Sequence, residues 1–389
     1  MSEDATPYWL IATPITSGYS PQDDWNSLTK KTQGEDLSTN FKFNLPIKDL
    51  KVGTLDSLMA LSDDLVRFDT LAEGTAFKIM KQLNELQVNE PPMVTLPDVG
   101  GRAAAPVSVD AYVRSFAWDD AKYPVKSPLK ELTELIVGAV ARMDEELKAK
   151  ATEFANAKGA KVALERKEAG NLMVRSLDAL VKSSDFIDSE HLTTLLVVVP
   201  KFGIKDWTSN YATLGGQPSF VVPGSSKQIT EDADTALMTV TLFRSVVETF
   251  KTNCRERRFL VRDFSYSAKG VADEKAAKDK ISSDFDKLKV MFVRWCKTNF
   301  AEAYSAMMHL KGVRLFVEST LRYGVPPNFQ AVLLKPKKDL PLRKALDSLY
   351  GHLASTEMIG SNEEEVMPGQ AGEFYPYVYL NVLTEPALV

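Results

Sequence analysis

The stretch CRERRF places Arg255, Arg257 and Arg258 at the end of SVVETFKTNCRER (245–257), which reads as a helix. Guanidinium groups there have two uses. They can lie against the partial negative charge of a helix C-terminus and be solvated, or they can anchor an acidic partner through charge-assisted hydrogen bonds. KPKKDLPLRK (335–344) is a second basic segment and reads as a solvated loop. Reaction chemistry finds no such cluster. His191, His309 and His352 lie far apart with no carboxylate at ligand spacing, so each reads as structural or solvated. KVGTLD (51–56) has a glycine but no phosphate-cradling GxxxxGK[ST], and reads as a loop entering a helix at Leu55. RFLVRDF lacks the histidine and the downstream asparagine of a kinase catalytic loop, and neither GxSxG nor HExxH occurs. Asp63-Asp64 and Asp119-Asp120 look like solvated helix starts. Cys254 and Cys296 are the only cysteines, far apart, and read as two reduced thiols. The expectation is a chain with no catalytic, cofactor-binding or metal site, with Arg255, Arg257 and Arg258 as its candidate partner interface.

The elements that must carry this cluster follow from periodicity. With 389 residues the chain is long enough for two or three domains. Its 44% hydrophobic and 25% charged residues are ordinary for a soluble globular protein, and a net charge of −5 argues against a nucleic-acid partner. Glu3 and Asp4 stand where a signal peptide would carry Lys or Arg, and no apolar run approaches the ~18 residues of a membrane span, so a cytosolic chain without membrane insertion is expected. YWLIATPI reads as a strand with Trp9 and Ile11 on one face, and Tyr19 and Pro21 mark a turn before a short helix around Trp25 and Leu28. Residues 55–86 read as a helix or helix pair from Leu58, Leu61, Leu65, Phe68 and Leu71. Residues 88–110, with four prolines and two adjacent glycines, read as a loop. Ser127-Pro128 is a helix start, and Ile136, Val140, Met143, Leu147, Ala151, Phe154 and Val162 carry one stripe to about Gly170. A second long helical stretch runs from about Val271 to Leu321, with Ile281, Phe285, Leu288, Phe292 and Trp295 on its stripe. Between the two, TLLVVVP, SFVVP (219–223), ALMTVTLF (236–243) and RFLVRDFSY (258–266) read as strands. RYGVPPNF (322–329) stops a helix at Gly324, and EFYPYVYLNVL reads as an aromatic strand.

The fold expected is α+β, mixed and helix-rich: an elongated dumbbell with a two-part foot, a neck of two long antiparallel helices and a small α/β head. The boundaries are 1–127 for the first part of the foot, 128–170 for the outgoing neck helix, 171–266 for the head, 267–300 for the returning helix and 301–389 for the rest of the foot.

KFNLPIKDLKVGTLDSL (42–58), FAWDDAKYP (116–124), EHLTTLLVVVPK (190–201), VTLFR (240–244), FLVRDF (259–264), RYGVPPNFQA (322–331) and YPYVYL (375–380) occur in order along nearly the whole chain. Together they resemble the C subunit of the vacuolar-type proton-pumping ATPase (V-ATPase). The resemblance implies an elongated, non-catalytic protein without cofactors that links the peripheral stalks, made of the E and G subunits, to the cytosolic N-terminal domain of the membrane a-subunit. It implies a head similar to the part that grips one E–G stalk and a foot that meets another stalk and the a-subunit. It also implies reversible release when the pump is shut down, a cytoplasmic location on vacuolar and endomembranes through the pump, and, for some members, actin binding. An elongated actin-binding cytoskeletal adaptor is the alternative, and an enzyme a third class that the missing motifs disfavour. This chain departs from the family in VVPGSS, where Gly224 replaces an arginine, in the loop Gly215-Gly216-Gln217-Pro218, and in Ile47 and Lys48, which lengthen a turn.

Overall fold

The computed structural model describes residues 7–15, 20–88, 90–97, 105–175, 177, 180–264, 268–353 and 375–386. Several expectations fall on residues outside these: Glu3 and Asp4, Tyr19, 98–104 of the proline-rich stretch, Ser265 and Tyr266, and Glu373 and Phe374. In chain order the elements begin with β1 (Tyr8–Pro14), α1 (Pro21–Thr32), β2 (Ser38–Lys42), α2 (Leu55–Glu85), β3 (Met93–Leu96), β4 (Ala105–Ser108) and α3 (Val109–Arg114). They continue with α4 (Leu129–Ala169), β5 (Leu192–Pro200), α5 (Ile204–Asn210), β6 (Lys227–Glu231), β7 (Thr235–Phe243), α6 (Val247–Glu256) and β8 (Leu260–Arg262). The last are α7 (Ala268–Tyr323), β9 (Phe329–Pro336), α8 (Asp339–Tyr350) and β10 (Val378–Val382). The fold is therefore mixed helix and sheet and rich in helix. It divides into two compact units, Met1–Lys150 with Met291–Val389, and Ala151–Val290.

The first unit is organised by a four-stranded antiparallel sheet in the order β10-β1-β9-β2. Its central strand β1 is buried on both faces. On one face Trp9 and Ile11 pack with Leu28, Val332, Leu334, Leu342 and Leu346, so α1 and α8 cover it. On α7, Tyr323 donates its hydroxyl to the Ala12 carbonyl at 2.8 Å, and Phe316 lies 6.1 Å from the ring of Phe329. Almost every α7 residue from Ala303 to Thr320 is buried, as in a helix surrounded by its own domain. Two starts follow from local chemistry. Ser20 accepts from the Asp23 amide at 3.3 Å while Asp23 accepts from the Ser20 amide at 3.0 Å, a capping box with Pro21 at the first helical position. Thr54 caps α2 in the same way, so KVGTLD is the loop into the helix at Leu55, and α2 is one helix rather than a pair.

Two readings change in this unit. The proline-rich stretch 88–110 holds an antiparallel pair, Met93 to Leu96 against Ala105 to Ser108. Pro106 sits within β4, which a two-stranded ribbon tolerates because each strand has an outer edge needing no amide donor. The basic segment 335–344 is not one loop either: Lys335 and Pro336 end β9, and α8 begins at Asp339.

The second unit holds a sheet in the order β6-β7-β5-β8, with every pairing antiparallel. It explains the apolar run at its centre. Val197 and Val199 face a core with Trp207, Phe250, Cys254 and Phe259, while Leu196 and Val198 face another with Leu172, Leu177, Val181 and Leu237. A strand covered on both faces has no polar side, so its sequence cannot alternate. SFVVP is not a strand: it contributes only an isolated bridge, Val221 to Leu242, and the edge is taken by the polar KQITE of β6. Among the described residues, RFLVRDFSY pairs only over Leu260–Arg262.

Candidate interface on the second unit

The three arginines sit where α6 ends, and the backbone there is specific. The Phe259 amide donates to the Cys254 carbonyl at 2.8 Å and the Arg258 amide to the Arg255 carbonyl at 3.0 Å. This is a Schellman motif with Arg258 at the left-handed position, φ 63°. Glycine is the usual occupant there; a side chain costs on the order of 1 kcal/mol. The motif is held by Phe259, which buries its ring 5.4 Å from Trp207 in the same core as Cys254.

The guanidinium groups are exposed, and only one has a partner: Arg257 Nη1 lies 3.4 Å from Asp206 Oδ1 on α5. Arg255 and Arg258 form no ion pair or side-chain hydrogen bond among the described residues. Arg262 shows the contrast, because its guanidinium donates to the carbonyls of Leu172 at 2.8 Å and Arg175 at 3.2 Å. Arg262 is an internal brace; Arg255 and Arg258 are presented to solvent.

Another exposed feature of this unit escaped the sequence. Phe202, 85% exposed, is the most exposed large hydrophobic residue among those described. It occupies the turn Lys201–Gly203 between β5 and α5. That turn is fixed by the Lys201 amide, which donates to the Asp234 carbonyl at 2.9 Å, and by Gly203, where a Cβ would lie 3.2 Å from the Phe259 ring. Gly203 thus packs against the buried ring of Phe259, the residue that follows Arg258. Lys205 adds a further exposed cation from α5. Nearby, Gly224 has φ 75° and donates its amide to the Tyr211 hydroxyl at 2.5 Å. An arginine here would adopt a left-handed backbone, so the glycine fits the loop geometry.

The remaining candidate groups are structural. Among the described residues no cluster of three or more His, Cys, Asp or Glu could hold a metal ion, and no helix is long and apolar enough to cross a membrane. Cys254 and Cys296 are free, and burial pushes both thiols up to about 12, far from thiolate reactivity. His191 and His352 are exposed. His309 is fully buried in the first unit: its Nδ1 lies 2.7 Å from the Ser305 carbonyl, and its Nε2 accepts from the Asp119 amide at 3.0 Å. That pairing requires the neutral ring with the proton on Nδ1. The rings of Phe116, Trp118 and Tyr123 pack around it at 5.1, 4.8 and 4.6 Å.

Burial lowers His309 from 6.5 to about 4. The unfolded chain therefore takes the proton first as pH falls. The stability contributed by the neutral ring is fully present above pH 6.5 and drains away down to pH 4, by about 3 kcal/mol. Carboxylates titrate in the same window, so the measurement is a comparison. The urea stability advantage of the parent over His309→Gln should narrow by about 2–3 kcal/mol between pH 7 and 4.5. A constant difference would mean that the ring is hydrated.

A charged cluster also escaped the sequence. Asp69 lies on the buried stripe of α2 between Leu65 and Ala72, 8% exposed at its side chain. Lys311 of α7, 3% exposed, reaches Asp69 at 3.0 Å and Glu73 at 3.0 Å; Arg314 reaches Asp69 at 2.9 Å and Glu318 at 2.7 Å. The partners are 242 residues apart, so the apolar rhythm of α2 could not announce them.

Known proteins resemble this chain over nearly its whole length. The V-ATPase C-subunit family matches residues 8–378, which run through both units. The V-type proton ATPase C 1 subunit of Xenopus tropicalis is 43% identical over 97% of this chain and 98% of its own. The C 1 subunit of Mus musculus and the C subunit of Caenorhabditis briggsae are each 41% identical, over 97% and 98% of this chain and 98% of their own. A solved structure of the cytoplasmic N-terminal domain of a V-ATPase I-subunit, a homolog of the a-subunit, aligns over 89% of this chain and 97% of its own. Its TM-score is 0.26 at 11% identity, too low to bear on the fold. The relatives are named as one subunit of a V-type proton ATPase. The match spans elements from β1 to β10 and includes the second unit that carries the arginines: the chain belongs to the V-ATPase C-subunit family.

Proposed function

We propose that this chain is a stator component of a V-type proton pump, joining E–G peripheral stalks to the cytosolic N-terminal domain of the a-subunit and leaving the pump when it is shut down. The observation that carries the reading is the family match across both units. A rotary pump needs a fixed frame to resist the torque on its rotor, and a connector with two contact regions suits that task. On this reading the foot is 1–127 and 301–389, the head 171–266 and the neck 128–170 with 267–300, in a cytoplasmic protein held at vacuolar and endomembranes by the pump. Small-angle scattering tests the elongated arrangement, which requires a radius of gyration well above the ~21 Å of a compact chain of this length.

Two separate, modest contacts would give reversible attachment. Each raises the effective concentration of the other, and loss of one releases the whole. Arg255, Arg257 and Arg258 are assigned to the head contact because their charges are exposed and largely unpaired. The test is binding of the purified full chain to an E–G heterodimer over a range of salt. Charge reversal at all three positions should weaken binding and flatten its salt dependence. Unchanged affinity in a folded variant would place the grip elsewhere, and no binding by the parent would overturn the stator reading. Sedimentation with filamentous actin separates the alternative, a cytoskeletal adaptor.

A further inference from the structure

We propose that residues 375–383 sit in the first unit as a strand-shaped ligand. Their groove reads extended peptide with tyrosine at alternate positions through Arg343, and it accepts the same segment from a second molecule.

Among the described residues this segment has one hydrogen-bonded strand neighbour, β1, and it lies at the edge of the sheet. Lifting it leaves the pairings of β1 with β9 and of β9 with β2 whole. Its two faces are read separately, as the period of two in an extended chain allows. Val378, Leu380 and Val382 are buried, opposite Ala12, Leu10 and Tyr8. The alternate residues Tyr375, Tyr377 and Tyr379 converge on one side chain of α8. The guanidinium carbon of Arg343 lies 3.9 Å from the ring centre of Tyr375 and 4.1 Å from that of Tyr379, with Trp9 of β1 at 3.8 Å. Its Nη1 donates to the Tyr377 hydroxyl at 3.0 Å. A planar guanidinium stacks on rings and donates from its edge at once, which a compact ammonium does not do.

Side chains of α7 hold the main chain of the segment. Arg322 Nη1 donates to the Tyr375 carbonyl at 3.0 Å, the Val378 amide donates to the Tyr323 hydroxyl at 3.2 Å, and the Tyr304 hydroxyl donates to the Leu383 carbonyl at 2.8 Å. Tyr323 also donates to the Ala12 carbonyl at 2.8 Å, so β1 positions it whether or not the segment is there. Pairing at a sheet edge, apolar sites for alternate side chains and anchors for the backbone are the parts of a strand-addition groove.

The charges show that this groove tolerates being empty. Asp69 and Lys311 are buried together, and each strands the other if it leaves. Arg343 draws its compensation from tyrosines, with no carboxylate paired to it among the described residues. Lifting the segment leaves the guanidinium over Trp9 and returns its edge to water, so no buried charge is abandoned.

The experiment uses the full-length chain and a fluorescent peptide of residues 375–386. Leu380→Asp lifts the chain's own strand by placing a charge on its buried face. That variant should bind the peptide saturably, and the parent, whose groove is filled, at least tenfold more weakly. Adding Arg343→Met should weaken peptide binding by a further tenfold or more, and Arg343→Lys should restore little of it. A peptide with leucine at positions 375, 377 and 379 should bind the Leu380→Asp chain more weakly, yet lose nothing further against the chain that also carries Arg343→Met. An arginine that merely braces α8 would not show that coupling. Native-state amide exchange on the parent gives a second reading that does not depend on how Leu380→Asp folds. The β10 amides should exchange through an opening that leaves β9 protected, and Arg343→Met should speed β10 alone by tenfold or more. A folded Leu380→Asp chain that ignores the peptide would overturn the inference, as would β10 and β9 opening together in the parent.

Discussion

Replacing Lys311 by methionine should destabilise the first unit by about 3–5 kcal/mol, because it leaves a buried carboxylate with half of its compensation. The ammonium lies within 3.1 Å of both Asp69 oxygens and 3.0 Å from Glu73, on side chains that water barely reaches. Methionine fills the same volume, so lost packing is a minor part of the effect. The double variant Asp69→Leu with Lys311→Met should recover much of the loss, since removing both charges also removes the desolvation they demand, while Arg314 keeps Glu318 at 2.7 Å. Urea denaturation of the three proteins at pH 7 provides the check. A single variant within about 1 kcal/mol of the parent would show that the pair behaves as an exposed one.

Val198→Asp should cost about 4 kcal/mol or more, and the loss should fall on the second unit. Val198 has no exposure, pairs with Leu237 on one side and Leu260 on the other, and packs among Leu172, Leu177 and Val181. An aspartate there would be buried among aliphatic side chains, and the guanidinium on that face, Arg262, is already committed to the Leu172 and Arg175 carbonyls. Val198→Thr, nearly the same shape with one hydroxyl, should lose much less, which separates charge from packing. Circular dichroism against urea reads the effect, and a midpoint for Val198→Asp close to the parent's would mean that the strand's second face is open.

These two sites show what the sequence could and could not announce. Val198 was legible because the length and valine content of its run favour a strand over a helix and an apolar run must be covered, and the long helix from Leu129 was legible because its stripe is unbroken by proline. Asp69 was not, because an acid on an apolar stripe looks like a lapse in periodicity until Lys311 and Arg314 arrive from a distant part of the chain. The strand β6 was missed for a related reason. KQITE lies at a sheet edge with exposed or half-exposed side chains, so it carries no hydrophobic signal, whereas the apolar SFVVP nearby follows Pro218, ends in Pro223 and makes only a bridge. At the candidate interface the arginines stood out as charge. On the same unit Phe202 did not, because a phenylalanine just past a strand reads as core, and only the fold shows it turned outward.

The placement of β1 has a consequence for how the protein is made. Among the described residues this strand, complete once residue 14 has been synthesised, finds its partners only in residues 329–336 and 378–382. At ~5–20 residues per second, an apolar YWLIATP segment waits tens of seconds on the ribosome with both edges bare. The second unit, contained in one stretch from residue 151 to 290, needs no such wait and can close while the end of the chain is still inside the ribosome. Synthesis therefore delivers a finished second unit attached to an unfinished first one. β10, the later of the two partners to emerge, joins β1, so a message cut short before Val378 yields a chain whose strand β1 has one edge open to any other chain with an unpaired strand.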